Sequence, residues 1–389
     1  MSTKDFRLDI AGYTEVLKEI EVCRKYGHDY RLDKGIWDKY IDYIHPAKLD
    51  LKVTEIINET SKAKTLRFVS ADSYLPPFQA GQYINLFVDI NGVRTSRPYS
   101  ISSSPTQTAY YDITIGRIAE GFVSDYLLDE VKLGDIIEAS SPTGSFYYNP
   151  LFHGQDLVFI AGGTGITPFM SMIKEVIDKG ENRNIHLFYG SNSLDEAIFH
   201  QELLNKSAKN ESFKYDLVIS DFSSDYEGLK GLIDGKLLKE ILGDLEDKTF
   251  YICGPSAMYE FCVPELTSLG IPRRKIRQEI YNLTENLTTA PGWPESVSNK
   301  DEFTITIKGG QVGEKTITAK AIEPLVIALE RNGIQVPTSC RSGECSLCRV
   351  KVLSGKVFEL SGHVRKSDRD NGYIHSCSAY PISDLDILL

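Results

Sequence analysis

The sequence predicts a multidomain chain: an N-terminal helical extension, a small antiparallel β-barrel, an α/β domain on a parallel sheet, and a closing α+β domain. Three observations carry this. The apolar period changes from helical to alternating near Leu49, and changes again to strands interleaved with helices near Asp156. A stretch with little periodicity and two prolines interrupts the chain at 282–301. Four cysteines then gather near the end, at Cys340, Cys345, Cys348 and Cys377.

The elements follow in order. In residues 1–48, Tyr13, Val16, Leu17 and Ile20 share one helical face and Trp37, Tyr40, Ile41 and Ile44 another, before His45-Pro46 stops the pattern. Such faces usually bury themselves in their own chain, so packing against the barrel is the first expectation and docking of a partner the second. Residues 49–150 hold short alternating strands, among them Thr65–Val69 and Tyr83–Val88, broken by Gly and Pro, which suits a barrel. Residues 151–281 alternate apolar strands, Leu157–Ile160, His186–Tyr189 and Phe250–Cys253, with helical stretches. After the linker at 282–301, the domain at 302–389 opens on the strand Phe303–Ile307 and carries a helix near Glu323 to Arg331.

Composition narrows the function classes. A formal charge of −11 argues against nonspecific nucleic-acid binding and fits a protein steered toward a basic partner face. No long apolar run and no signal-peptide layout is present, so no membrane span and a cytoplasmic location are expected. Seven cysteines, an odd number, fit metal ligation in a reducing compartment better than a disulfide framework. A monomer is the simplest expectation.

The four cysteines are spaced C-x4-C-x2-C with a distant fourth, the plant-type arrangement for a 2Fe-2S cluster. Three thiolates must converge from one loop whose N–H groups turn toward the sulfurs, and Gly343 permits that turn. Zinc sites more often pair cysteines two and two, so a cluster held by Cys340, Cys345, Cys348 and Cys377 is expected. Arg341, Ser342, Glu344 and Ser346 around it are expected to face solvent.

Within the barrel, Arg97-Pro98-Tyr99-Ser100 has the parts a flavin needs: a cation for phosphate, an aromatic ring for the isoalloxazine, and a hydroxyl for the N5 edge. Gly121-Phe122-Val123-Ser124 sits where a helix should begin, so free N–H groups could hold a pyrophosphate. Further on, Gly162-Gly163-Thr164-Gly165-Ile166-Thr167-Pro168 follows a strand and precedes a helix, where backbone can approach a dinucleotide. A tight turn would explain that loop equally, and Cys253 alone reads as an ordinary buried cysteine.

The run Arg97–Ser100, Gly121–Leu127 and Pro142-Thr143-Gly144-Ser145-Phe146 resembles the ferredoxin-NADP reductase superfamily over about residues 50–280, followed by a plant-type, β-grasp ferredoxin domain. The resemblance implies a flavin contacted by Arg97, Tyr99 and Ser100, with Gly121, Phe122, Val123 and Ser124 at an FAD pyrophosphate. It implies a nicotinamide nucleotide on Gly162 to Pro168 and on Cys253-Gly254-Pro255 with Met258. Ser100, Cys253 and Glu279 then surround hydride transfer, and Tyr281 takes the place of the usual Phe at the ring. The domain order is that of phthalate dioxygenase reductase, which uses FMN; Gly121–Ser124 resembles the FAD-binding members, so FAD is expected over FMN. Acidic Asp195, Glu196 and Asp221 lie where a 2′-phosphate would bind, which favours NADH over NADPH.

Together these predict an NADH-dependent electron-transfer reductase: hydride to FAD, then single electrons through the cluster to an electron-accepting metalloprotein. A reductase acting directly on a quinone or metal complex is the alternative within enzymes. A redox-sensing regulator is the alternative outside them, disfavoured by the acidic charge and the lack of a DNA-binding motif.

Overall fold

The computed structural model describes residues 10–26, 38–72, 74–119, 121–224, 226–281, 287–309, 313–360 and 364–389. The chain divides into two units, Met1–Lys48 and Leu49–Leu389. In the first, helix α1 spans Tyr13–Tyr26, and residues 38–44 form a second helix, α2. Val16, Leu17, Tyr40, Ile41 and Ile44 are exposed; Trp37 lies outside the described residues.

The second unit begins with strands β1 (Leu49–Thr60), β2 (Ala63–Ser70), β3 (Tyr83–Ile90), β4 (Val93–Ser100), β5 (Tyr111–Gly116) and β6 (Ile136–Ala139), with helix α3 (Phe122–Asp129) between the last two. The sheet runs β4-β3-β6-β1-β2-β5 with antiparallel pairing throughout. An antiparallel bridge between Ile101 and Ile113 joins its two edges, so the sheet closes as the alternating pattern predicts. Alternate residues such as Leu51, Val53, Leu66, Phe68, Ile84 and Leu86 fill the interior, and α3 adds Val123 and Leu127.

The α/β domain comprises β7 (Asp156–Gly162), α4 (Ile166–Lys179), β8 (Asn184–Ser191), α5 (His200–Lys209), β9 (Phe213–Ile219), β10 (Leu229–Lys230), α6 (Gly235–Leu242), β11 (Thr249–Cys253), α7 (Ser256–Ser268) and β12 (Ile276–Glu279). Its sheet is parallel, in the order β10-β9-β8-β7-β11-β12. The central strands are apolar along their whole length because helices cover both faces. The chain winds outward from β7 through β8 and β9, then returns to lay β11 on β7's other side. The loops after β7 and β11 therefore diverge at a topological switch point, where a crevice opens at the carboxyl ends of the strands. Phe146, at the end of the barrel segment, packs edge-on against Tyr251 with ring centroids 5.3 Å apart and fixes barrel to sheet.

The last domain comprises β13 (Glu302–Lys308), β14 (Lys315–Lys320), α8 (Leu325–Arg331), β15 (Arg349–Ser354), β16 (Val357–Glu359), α9 (Lys366–Asp370), β17 (Tyr373–His375), β18 (Ala379–Pro381) and β19 (Leu385–Leu388). The sheet β14-β13-β19-β15-β17 wraps α8, with Ile305, Ile307, Leu325, Leu329 and Ile387 in the core, and β16 pairs with β18 as a side ribbon. Of the segment at 282–301, the described part is pinned by Trp293, whose Nε1 donates to the Val297 carbonyl at 2.9 Å while its ring meets Phe358 edge-on. No described helix is long and apolar enough to cross a membrane.

Candidate active site and cluster loop

The switch point brings distant residues together. Gly162 ends β7, Gly163 turns with φ of 52°, and Thr167 Oγ1 donates to the Thr164 carbonyl at 3.0 Å, with Pro168 in the first turn of α4. Opposite lies Cys253-Gly254-Pro255 at the end of β11. A Cβ on Gly165 would stand 2.1 Å from the Cys253 carbonyl oxygen, so only glycine lets the two loops close on each other. Met258 abuts Gly162 and Gly254. Tyr259, which no sequence motif singled out, accepts from the Gly254 N–H at 2.9 Å and donates to the Glu279 carbonyl, tying β11 to β12.

Ser100, Glu279 and Tyr281 meet through hydroxyls. The Tyr281 hydroxyl donates to Glu279 Oε2 at 2.5 Å and bonds Ser100 Oγ across the barrel–sheet junction. Burial pushes the Glu279 carboxyl up to about 8, with Glu344 of the cluster loop adding to the shift. Cys253 is fully buried, and that burial holds its thiol well above the usual range, so it sits here as a neutral thiol. The three residues assigned to hydride transfer by resemblance thus converge, with Tyr281 linking two of them.

On the barrel, Arg97 and Tyr99 alternate with Pro98 and Ser100 along β4. Tyr99 packs against the barrel core. Arg97 donates to Thr95 Oγ1 at 2.9 Å and to the Ser96 carbonyl at 2.7 Å, and burial lowers its guanidinium to about 10. At the start of α3, Gly121 is the N-cap without a side-chain cap, Phe122 is exposed, Val123 enters the core, and Ser124 Oγ is buried with no hydrogen-bond partner. An orphaned hydroxyl in a helix's first turn is what a phosphate oxygen would satisfy, so these residues fit the pyrophosphate they were assigned.

The four cysteines form one linked set. Cys345 donates to Cys340 and Cys377 to Cys348, with Cys377 also reaching Cys340. These bonds hold Cys340 well below the usual thiol range and draw Cys348 down to about 7, while pushing the donors Cys345 and Cys377 up. Backbone N–H groups of Ser342 and Cys345 point at Cys340 Sγ, at 3.5 and 3.3 Å. Among the described residues no three His, Cys, Asp or Glu side chains converge on one ion. Four neighbouring thiols with backbone N–H groups aimed at one of their sulfurs fit the iron-sulfur cluster that their spacing predicts.

The loop does not face solvent as expected: Arg341, Ser342 and Ser346 are buried, and only Glu344 of the four is exposed. Arg341 is covered by the barrel. Arg341 pairs with Glu330 of α8, its Nη1 donating to Oε2 at 3.2 Å, and reaches Thr95 Oγ1 at 3.3 Å. Thr95 also donates to Glu330 at 2.9 Å, and Gln335 donates to the Arg94 carbonyl at 3.1 Å. Ser339, which precedes Cys340, bonds the Tyr83 hydroxyl at 3.0 Å. Tyr83 is the cross-strand register partner of Ser100.

Three family models match the chain in succession: an oxidoreductase FAD-binding domain at 48–148, an oxidoreductase NAD-binding domain at 159–263, and a 2Fe-2S iron-sulfur cluster binding domain at 307–381. Among curated proteins, the glycine betaine monooxygenase reductase subunit of Pseudomonas aeruginosa is 27% identical over 353 residues, covering 87% of this chain and 94% of that one. The NADH oxidoreductase HCR of Escherichia coli is 28% identical over 340 residues, covering 86% and 96%. Among solved structures, phthalate dioxygenase reductase superposes with a TM-score of 0.67 at 21% identity, covering 88% of this chain and 98% of that one. The chain thus carries an FAD-binding, an NAD-binding and a 2Fe-2S domain in that order, in the fold of phthalate dioxygenase reductase.

Proposed function

We propose that the chain is the reductase component of an electron-transfer pair, taking hydride from NADH and delivering single electrons to a metalloprotein acceptor of the oxygenase kind, in the cytoplasm. When bound, FAD supplies a two-electron acceptor and the cluster a one-electron donor. Arg97, Pro98, Tyr99 and Ser100 with Gly121 to Ser124 hold the flavin. Gly162 to Thr167 and Gly254-Pro255 hold the dinucleotide at the switch point, and Cys253, Glu279 and Ser100 line the place of transfer. The observation that carries this reading is the junction at Tyr83: one strand pair presents Ser100 to the hydride site and Tyr83 to the cluster loop. The reductase role rests also on the relatives, whose names describe monooxygenase reductase components.

Anaerobic mixing with NADH is expected to bleach flavin and cluster absorption within about a second, a typical turnover time. Flavin bleaching with the cluster left oxidised would sink the proposal. NADH is expected to exceed NADPH in kcat/KM by about tenfold or more, equivalent to ~1.4 kcal/mol. Lys62 is paired with Glu196 at 2.5 Å, beside Asn192 and the end of β9. An NADPH advantage would overturn the assignment.

Glu279 gives a pH dependence. Its carboxyl is neutral until about pH 8, so above that pH a buried anion appears beside the hydride site, and kcat/KM for NADH is expected to fall. Glu279→Gln should flatten the profile. The stability linkage has the same direction: a carboxyl raised in the folded state binds its proton more tightly there, so its contribution is full below the unfolded value of ~4.3 and is lost as pH rises to 8.

A further inference from the structure

Beneath the cluster loop lies a fully buried histidine that the electron-transfer reading leaves without a task. His375 ends β17, two residues before Cys377, between buried Ile374 and Ser376. Its Nδ1 lies 2.5 Å from the Gly343 carbonyl, which can only accept, so Nδ1 donates. Its Nε2 lies 3.2 Å from Asp368 Oδ2, and Arg349 anchors Asp368 from the other side at 3.3 Å. The ring is therefore a strut between α9 and the middle of the Cys340–Cys345 turn.

That turn needs holding. Arg341, Gly343 and Ser346 all have positive φ, at 53°, 86° and 60°, and two of the three carry side chains that disfavour the conformation. Gly343 sits between the two N–H donors, Ser342 and Cys345, aimed at Cys340 Sγ. Its carbonyl belongs to the peptide with Glu344, which stands between the peptides that carry those two N–H groups, so holding it limits how far either can turn. Hydrogen bonds to cluster sulfur favour the reduced, more negative cluster and raise its potential.

We propose that His375 is a positioning residue for the cluster: through Nδ1 and the Gly343 carbonyl it locks the turn whose N–H groups face Cys340, and so raises the potential at which the cluster takes electrons from the flavin. This rests on the cluster assignment and adds to it a residue that is not a ligand.

The test is a redox titration of the full-length, iron-loaded chain, followed by the electron paramagnetic resonance signal of the reduced cluster. His375→Leu is expected to lower the equilibrium constant for cluster reduction about fivefold, which at ~59 mV per tenfold is about 40 mV more negative. Asparagine places an amide N–H near the position of Nδ1 and glutamine near that of Nε2. His375→Asn should therefore hold the potential near wild type, whereas His375→Gln should fall with the leucine chain. Should the leucine chain fail to retain iron, the Asn and Gln chains decide alone. An unchanged potential in both Leu and Gln chains overturns the proposal, as does an equal fall in the Asn and Gln chains, which would assign the effect to loss of the ring itself. A wild-type chain that takes up iron without the cluster signal would overturn the cluster assignment and the proposal together, and only that result touches both.

Discussion

Arg341→Ala is expected to cost about 3 kcal/mol of stability and Glu330→Ala about 5, the span measured when one partner of a buried ion pair is removed. The order follows from the third charge in the cluster. Both members of the pair are almost wholly buried, and Arg97 stands close enough to feel both. Removing Arg341 leaves Glu330 with Thr95 and the neighbouring Arg97 as compensation. Removing Glu330 leaves two guanidiniums facing each other with no counter-charge. Because Thr95 and Ser96 lead directly into Arg97–Ser100, loosening this knot should also slow passage of electrons from flavin to cluster. Denaturant unfolding of the two variants, with stopped-flow cluster reduction, checks both effects. Equal costs would remove Arg97 from the account, and costs below about 1 kcal/mol would show that water reaches the pair.

Gly165→Ala is expected to lower kcat/KM for NADH by about a hundredfold, the scale of effect of a 1 Å displacement at a reacting centre. The added methyl meets the Cys253 carbonyl oxygen at 2.1 Å and the Gly254 nitrogen at 2.7 Å. Both are backbone atoms and cannot swing aside, so the two loops of the switch point must part. Gly163 supplies the control. It has positive φ but open space where a Cβ would go, so Gly163→Ala should cost only the left-handed strain of about 1 kcal/mol. Cluster reduction by dithionite should be unchanged in both. A Gly165→Ala chain within twofold of wild type would remove the close approach from the account of the site.

What the sequence made legible was local. The spacing of Cys340, Cys345 and Cys348 lies within one turn, the Gly162–Pro168 loop lies between a strand and a helix, and the strands around Thr65, Tyr83, Leu157 and Phe250 announce themselves by period. Helix α8 at Leu325–Arg331 falls inside the predicted stretch. What stayed hidden depends on partners with no periodic relation to each other. Arg341 and Ser342 read as solvated loop because polar residues usually are; nothing in their neighbourhood signals that Thr95, far back in the chain, would bond Arg341. Tyr83 read as one more strand residue, and its hydroxyl has meaning only once Ser339 is placed beside it. Glu330 lies inside the predicted helix, where nothing local marks it as half of a buried ion pair. For His375 a signal existed, a titratable residue in a buried strand next to a ligand, but no pattern tells a strut from a surface residue until Gly343 and Asp368 are in position.

The seam between barrel and ferredoxin domain limits how freely such domains can be exchanged. Gene fusion would suggest interchangeable cassettes, yet here the barrel contributes Tyr83, Thr95 and the Arg94 carbonyl to groups that the last domain leaves unmet. A chimera carrying a foreign ferredoxin module would inherit those polar atoms without their counterparts, so recombination at the 282–301 boundary should succeed only when β3 and β4 travel with the incoming domain.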